Sequence, residues 1–332
     1  MRRFDRRILA GLAVGFVVVV AVALAGDIRQ VAGLLERFSW PLAPVILCGT
    51  LFNYILRFVK WHFYVRLLGA PDFPVRESAR IFVGGFPLAL SPGKVAEALK
   101  AVWLQQRSGL PVARGLPIVA AERISDGLAV LLLSTVGVVT YPRYWPAFAT
   151  FVGLLLAIVL LSQARRPSLA ILRAIQRVPV VGRWVPALRE VYEGAHQVLR
   201  PLPTLAAVGL GAVAWLGEGV AFYLILLGLG QPPGLPLFAS AVFILAFATA
   251  VGGASTLPGG LGASEATIAG MLTILVGLPV STAAAATLLI RFATLWFGVS
   301  LGLLVWSRSP DLLGLAHAER SATSQPSPQG PS

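Results

Sequence analysis

The residues of this chain that could do chemistry are charges set in apolar surroundings. In LSPGKVAEALK, residues 90–100, Lys94, Glu97 and Lys100 recur every third position and fall on a broad common helix face. In AAERISDGLAV, residues 120–130, Glu122 and Asp126 stand four apart on one face, with Arg123 about a third of a turn away. Arg57 and Lys60 lie in another apolar run, and Glu218, Glu265 and Arg291 are isolated charges in three more. Cationic groups held away from bulk water can replace the hydration of an anion, and intramembrane carboxylates can take up and release protons. Metal chemistry is not expected, because Cys48, His62, His196 and His317 are far apart and form no ligand spacing. No cofactor is expected either.

The elements that must position these charges are membrane helices. Of 332 residues, 57% are hydrophobic and only 12% charged, and apolar runs lie near 8–25, 41–68, 80–104, 115–140, 146–162, 203–229, 236–276 and 281–306. Runs of this length read as an all-α polytopic membrane protein. The formal charge of +13 would suggest a nucleic-acid partner in a soluble protein. Here the accumulation of Lys and Arg in cytoplasmic loops accounts for it, and no nucleic acid is expected.

Two runs are broken by Pro-Gly, at LSPGK and at TLPGGLG. If each is a re-entrant hairpin, six full spans remain, with both termini cytoplasmic. The inner pieces then hold Arg2, Arg3, Arg6 and Arg7, the 66–80 and 105–114 loops, and the 163–202 segment with its seven arginines; the outer pieces hold only Arg29, Arg37 and Arg143. The 163–202 segment, interrupted by Pro179 and Pro186, reads as short amphipathic helices on the inner surface. Residues 1–306 form the membrane domain, and the Pro/Ser-rich 307–332 reads as a disordered tail. The N-terminal run resembles a signal peptide ending in Ala23-Leu24-Ala25, but it is longer than a usual signal core and reads as a retained span.

The chain also repeats itself. A shift of 168 positions superposes Gly84-Gly85 on Gly252-Gly253, Glu97 on Glu265, Gly109-Leu110-Pro111-Val112 on Gly277-Leu278-Pro279-Val280, and Arg123 on Arg291. Each copy, near 41–140 and 203–306, reads as span, re-entrant Pro-Gly hairpin, span. The copies are joined by a span at 146–162 and the amphipathic segment, which makes the repeat inverted. Inverted repeats with broken helices at mid-depth are an architecture of secondary transporters.

In hydrocarbon a chain break is tolerated only where it is buried in protein or lines a wet cavity. Ser91 is placed to cap a helix beginning at Pro92, whose freed amides near Gly93 and Lys94 would aim partial positive charge into that cavity. The apolar runs hold six cations, Arg57, Lys60, Lys94, Lys100, Arg123 and Arg291, against the five anions Glu97, Glu122, Asp126, Glu218 and Glu265. Unpaired near the bilayer centre they would cost on the order of 30 kcal/mol. Mutual salt bridges holding two bundles together are one reading. A hydrated, slightly cationic cavity is the other, since replacing buried pairs by apolar residues is often neutral or stabilising. Lys60, beside Trp61 and His62, reads as an interfacial anchor.

PGKVAEALK, AERISDGLAVLLL and LPGGLGASE followed by a lone Arg resemble the flippase-like membrane domain of the lysylphosphatidylglycerol synthase family. The resemblance covers about residues 8–306. It nominates Pro92, Gly93, Lys94, Glu97 and Lys100, then Glu122, Arg123 and Asp126, then Pro258, Gly259, Gly260, Gly262 and Glu265, and Arg291. Two positions depart from the pattern: Ala96 and Lys100 stand where Gly and Arg are usual. What it implies is translocation of a phosphate-bearing lipid in the cell (inner) membrane, an anionic or aminoacylated phospholipid or a polyprenyl phosphate. It also implies that aminoacyl transfer belongs to a separate soluble domain, so the chain is expected to be a transporter and not an enzyme. A membrane-embedded lipid-modifying enzyme, or an accessory protein handing a polyprenyl-phosphate carrier to a glycosyltransferase, are the alternatives.

Overall fold

The computed structural model describes residues 2–91, 96–140, 145–166, 168 and 185–313. Pro92, Gly93 and Lys94, the centre of the 163–202 segment and the tail from residue 314 lie outside the described residues. Among the described residues every regular element is helical: α1 (Arg2–Ala25), α2 (Ile28–Glu36), α3 (Ala43–Leu67), α4 (Val75–Gly84), α5 (Leu99–Ser108), α6 (Val112–Thr140), α7 (Trp145–Gln163), α8 (Val185–Val198), α9 (Pro201–Gly228), α10 (Leu235–Ala254), α11 (Ala263–Leu275), α12 (Val280–Arg291) and α13 (Phe297–Ser307).

Among the described residues four helices are long and apolar enough to cross a membrane: Trp40–Leu67, Pro201–Gly228, Leu235–Ala254 and Val280–Ser307. Gly11–Ala25 and Ile28–Glu36, bent by 94°, add a fifth if they are one span. At 29 residues α6 is also long enough, but it carries Arg114, Glu122, Arg123 and Asp126. Of the 163–202 segment, residues 163–166, 168 and 185–202 are described. Helix α8 turns Val185, Gly194 and Val198 inward and exposes the Arg189–Glu193 pair.

The two broken segments are built differently. The first has ten-residue limbs, α4 and α5, with a short 3-10 helix at Phe86–Leu90 before the break. The second has the 20-residue α10, apolar and long enough to cross by itself, and the 13-residue α11. Between them Gly259, Gly260 and Gly262 all have positive φ, a conformation glycine adopts without a Cβ clash. A Cβ on Gly252 would sit 2.0 Å from Ser264 Oγ, so the limbs cross here almost backbone to backbone.

The repeated GLPV tetrapeptides fold alike. Gly109 and Gly277 take left-handed φ of 75° and 76°, Leu110 and Leu278 are both buried, and a new helix starts at Val112 and at Val280. Contacts collect the loops at two ends of the molecule. At one end Gln197 donates to the Leu67 carbonyl, and Arg80 and Arg107 reach Ser309 and Asp311. At the other, the Ser39 amide donates to the Gly228 carbonyl and Gly26 packs on Ala284.

Helix α1 is docked through two glycines one turn apart. A Cβ on Gly11 would lie 2.5 Å from the Leu90 carbonyl oxygen, and one on Gly15 would lie 2.4 Å from the Trp296 ring. Small residues at this spacing let membrane helices approach closely, and here they seat α1 across the end of the first broken segment. Gly15→Ile is expected to lower the unfolding temperature in detergent, at the usual overpacking cost of about 1–3 kcal/mol. Gly33→Ala, where nothing lies within 4 Å, should leave it unchanged or raised.

Candidate functional site

Helices α3 and α9 lie in close contact because Gly49 faces Gly217, where a Cβ would be 3.1 Å from the Gly217 carbonyl oxygen. Two turns along α3, Arg57 and Lys60 both meet Asp126 of α6: Arg57 Nε lies 3.2 Å from Oδ2, and Lys60 Nζ donates to Oδ1. One turn earlier on α6, Glu122 accepts from Lys100 Nζ at 2.6 Å. The Lys100 stem crosses Gly85, and its ammonium sits 4.1 Å from the Trp61 ring centroid, an additional cation–π contact.

The residues that superpose in the repeat also pair alike. Arg123 Nε donates to Glu97 Oε2 at 2.9 Å, and Arg291 Nε donates to Glu265 Oε1 at 2.5 Å. At about 1.5 Å per residue, each arginine stands roughly 17 Å beyond the valine that opens its helix, about half the thickness of a hydrocarbon core. The second pair is more elaborate. Glu265 accepts from the Gly262 amide at 2.7 Å, and Arg291 Nη2 donates to the Gly259 carbonyl at 2.9 Å, so the charges clamp the glycine break itself. Arg291 is 14% exposed and Arg123 38%.

These groups surround one cavity of about 870 Å³, lined by Arg57, Glu97, Lys100, Arg123, Asp126, Glu218 and Arg291 together with Gly259, Gly260 and Ser264. Lys60, Glu122 and Glu265 stand immediately behind its wall as partners of lining residues. The cap expected of Ser91 on the amides near Gly93 and Lys94 lies outside the described residues. The Ser91 hydroxyl donates to the Leu88 carbonyl and accepts from the Ala96 amide, stapling the two sides of the first break. Among the described residues no cluster of His, Cys, Asp and Glu could hold a metal.

The interfacial reading of Lys60 is corrected. Lys60 is 1% exposed, and Trp61 and Tyr64 are fully buried beside it. The spacing 57, 60, 61, 64 is a single helix face turned to α6, so Lys60 shares Arg57's partner rather than reaching toward headgroups. Sequence reasoning also missed several cavity residues. Tyr54 donates to the Thr294 carbonyl at 2.5 Å, inside a π-helical turn over Phe292–Trp296 that widens the last long helix just after Arg291. Trp215 lies under Arg57, 5.8 Å from its ring centroid to the guanidinium carbon. Aromatic residues in an apolar run carry no mark that separates a cavity wall from lipid contact.

Residues 8–302 match the family described as the lysylphosphatidylglycerol synthase TM region. A UPF0104 membrane protein of Methanothermobacter thermautotrophicus is 25% identical over 287 residues, 80% of this chain and 82% of that protein. No solved structure matches the chain.

Removing one partner of these buried pairs leaves an uncompensated charge. Asp126→Asn strands both Arg57 and Lys60 and is expected to cost about 3–5 kcal/mol, read as a fall in unfolding temperature in detergent. Glu265→Gln combined with Arg291→Gln should lose less than the two single changes together. Strict additivity there would mean that the pair contributes no coupling.

Proposed function

We propose that the chain, which belongs to the family of lysylphosphatidylglycerol synthase TM regions, moves a phosphate-bearing lipid between membrane leaflets. The observation that carries this reading is the single cavity joining the ion pairs of both repeat copies at mid-helix depth. A phosphate crossing about 30 Å of hydrocarbon needs replacement for its hydration along the way. Arg123, half-exposed to the cavity and bound to its carboxylate through Nε alone among the described contacts, has guanidinium N–H groups free to meet that phosphate. Leu116, Val119, Leu154 and Leu155 give the same cavity an apolar flank suited to the start of an acyl chain.

The substrate class is an anionic or aminoacylated phospholipid or a polyprenyl phosphate, and the site is the cell (inner) membrane. Transport without covalent chemistry fits the hydroxyls of the cavity wall. Thr249, Ser264 and Thr294 each donate to a backbone carbonyl, and none is held against a carboxylate as a nucleophile would be. The arrangement of the copies as an inverted repeat, with two re-entrant Pro-Gly hairpins, draws support from the GLPV turns: Leu110 of the first shares a core cluster with Leu68, Phe73, Val198 and Leu199, and Leu278 of the second shares one with Phe38, against which Leu229 packs. The arginine-rich first end is assigned to the cytoplasm.

Two experiments test this. In a Cys48→Ala background, Arg114→Cys should be labelled by an impermeant maleimide only from the cytoplasmic side and Gln231→Cys only from outside. Labelling of both from the same side removes the inverted topology. In liposomes, purified protein should speed the loss of a labelled phosphate lipid's signal to an impermeant reductant without nucleotide, and Arg123→Gln should slow it at least tenfold while eluting as folded protein. Wild-type rates equal to those of empty liposomes for phosphatidylglycerol, its aminoacyl ester and polyprenyl phosphate alike would overturn the reading.

A further inference from the structure

Glu218 is the carboxylate of the cavity that the ion pairs leave over. It lies on α9, is 3% exposed and lines the cavity. Every other acid there holds a cation: Glu97 has Arg123, Glu122 has Lys100, Asp126 has Arg57 and Lys60, and Glu265 has Arg291. Among the described residues Glu218 makes no hydrogen bond and no ion pair, although the charges of Arg57, Asp126 and Arg291 act on it.

The elements packed on α9 supply no hidden partner. From α3 come Tyr54, whose hydroxyl is committed to the Thr294 carbonyl, and Arg57, which is held by Asp126. From α6 comes Asp126, with Arg123 a turn away on Glu97. From α12 comes Arg291, bound to Glu265 and to the Gly259 carbonyl. Helix α10 has no titratable side chain along its length. A lone ionised carboxylate in such a place is costly, whereas a carboxylic acid is neutral.

We propose that Glu218 is a proton-binding site of the cavity and that its loading is coupled to the phosphate of the transported lipid. The inference rests on the translocation reading above for its ligand. With a proton on Glu218, the cations Arg57, Lys60, Lys100, Arg123 and Arg291 outnumber the four paired acids among the described residues. An arriving phosphodiester anion offsets part of that excess. When the phosphate leaves and the proton follows, the Glu218 carboxylate takes its place opposite Arg57 and Arg291. Phosphate and carboxylate compete for the same guanidinium field, and a carboxylate that has bound a proton no longer competes. Binding of the two is therefore mutually favourable, and by linkage each strengthens the other equally. The paired acids are poorly suited to this role, since protonating any of them strands its cation.

The probe is dioctanoyl phosphatidylglycerol added to the full chain in weakly buffered detergent with a pH indicator. Wild type should take up a proton on binding, and its affinity should weaken with rising pH, approaching tenfold per unit for one coupled proton. Glu218→Gln should show neither uptake nor pH dependence, and Glu218→Asp should retain both. Lipid binding to wild type without proton uptake, or uptake that persists in Glu218→Gln, overturns the coupling. A second readout needs no lipid: as the pH is lowered through the range in which lipid binding takes up a proton, a carboxylic-acid carbonyl stretch in the infrared should grow in wild type and in Glu218→Asp, and the same component should be missing in Glu218→Gln. If no phosphate lipid binds wild type, the coupling falls with the translocation reading. The infrared band alone then decides the proton site, and a band unchanged by Glu218→Gln refutes it.

Discussion

A charge in hydrocarbon must be paired or wet, and this single constraint organises the molecule. Asp126 can be ionised in the middle of α6 because α3 brings two cations to it, and α3 is held close to α9 by the Gly49–Gly217 contact. Lys100 can be buried because Glu122 and the Trp61 face receive it and Gly85 makes room for its stem. Helix packing and charge placement are thus one problem. The close approaches at Gly49 and Gly85 set a cation within reach of an acid, and the ion pairs line the cavity.

Helix α6, one of the longest helices present, carries Arg114, Glu122, Arg123 and Asp126. Taken alone it would be an expensive segment to leave in lipid. Packed against α5, α8, α9 and α10, it is the element on which both acidic centres of the first copy are displayed.

Much of this was legible in the sequence for a definite reason. Glu97 with Arg123 and Glu265 with Arg291 share a spacing of 26 residues, and GLPV marks the same capped turn in both copies, so repetition exposed pairs that neither copy would reveal alone. Lys60 was misread because neighbouring Trp and His imitate an interfacial belt; only the partner on α6 distinguishes the two situations. The difference between the ten-residue limbs of the first break and the 20-residue α10 was hidden too. Both segments read as apolar runs, and run length does not report where a helix starts when Pro236 can open one early. Tyr54 and the π-helical turn had no sequence mark at all.

The two arginine–glutamate pairs are alike in chemistry and unlike in setting, and that difference bears on how such a site could work. Arg291 is tied at once to Glu265 and to the backbone of the glycine break, while Glu265 also caps the helix that follows; loosening any one contact loosens the others. Arg123 has its carboxylate and an open side toward the cavity. Under the translocation proposed above, an anion on the first copy's side would meet the open face of Arg123, whereas one on the second copy's side would compete with the Gly259 carbonyl for Arg291, a contact that also holds the glycine-rich break.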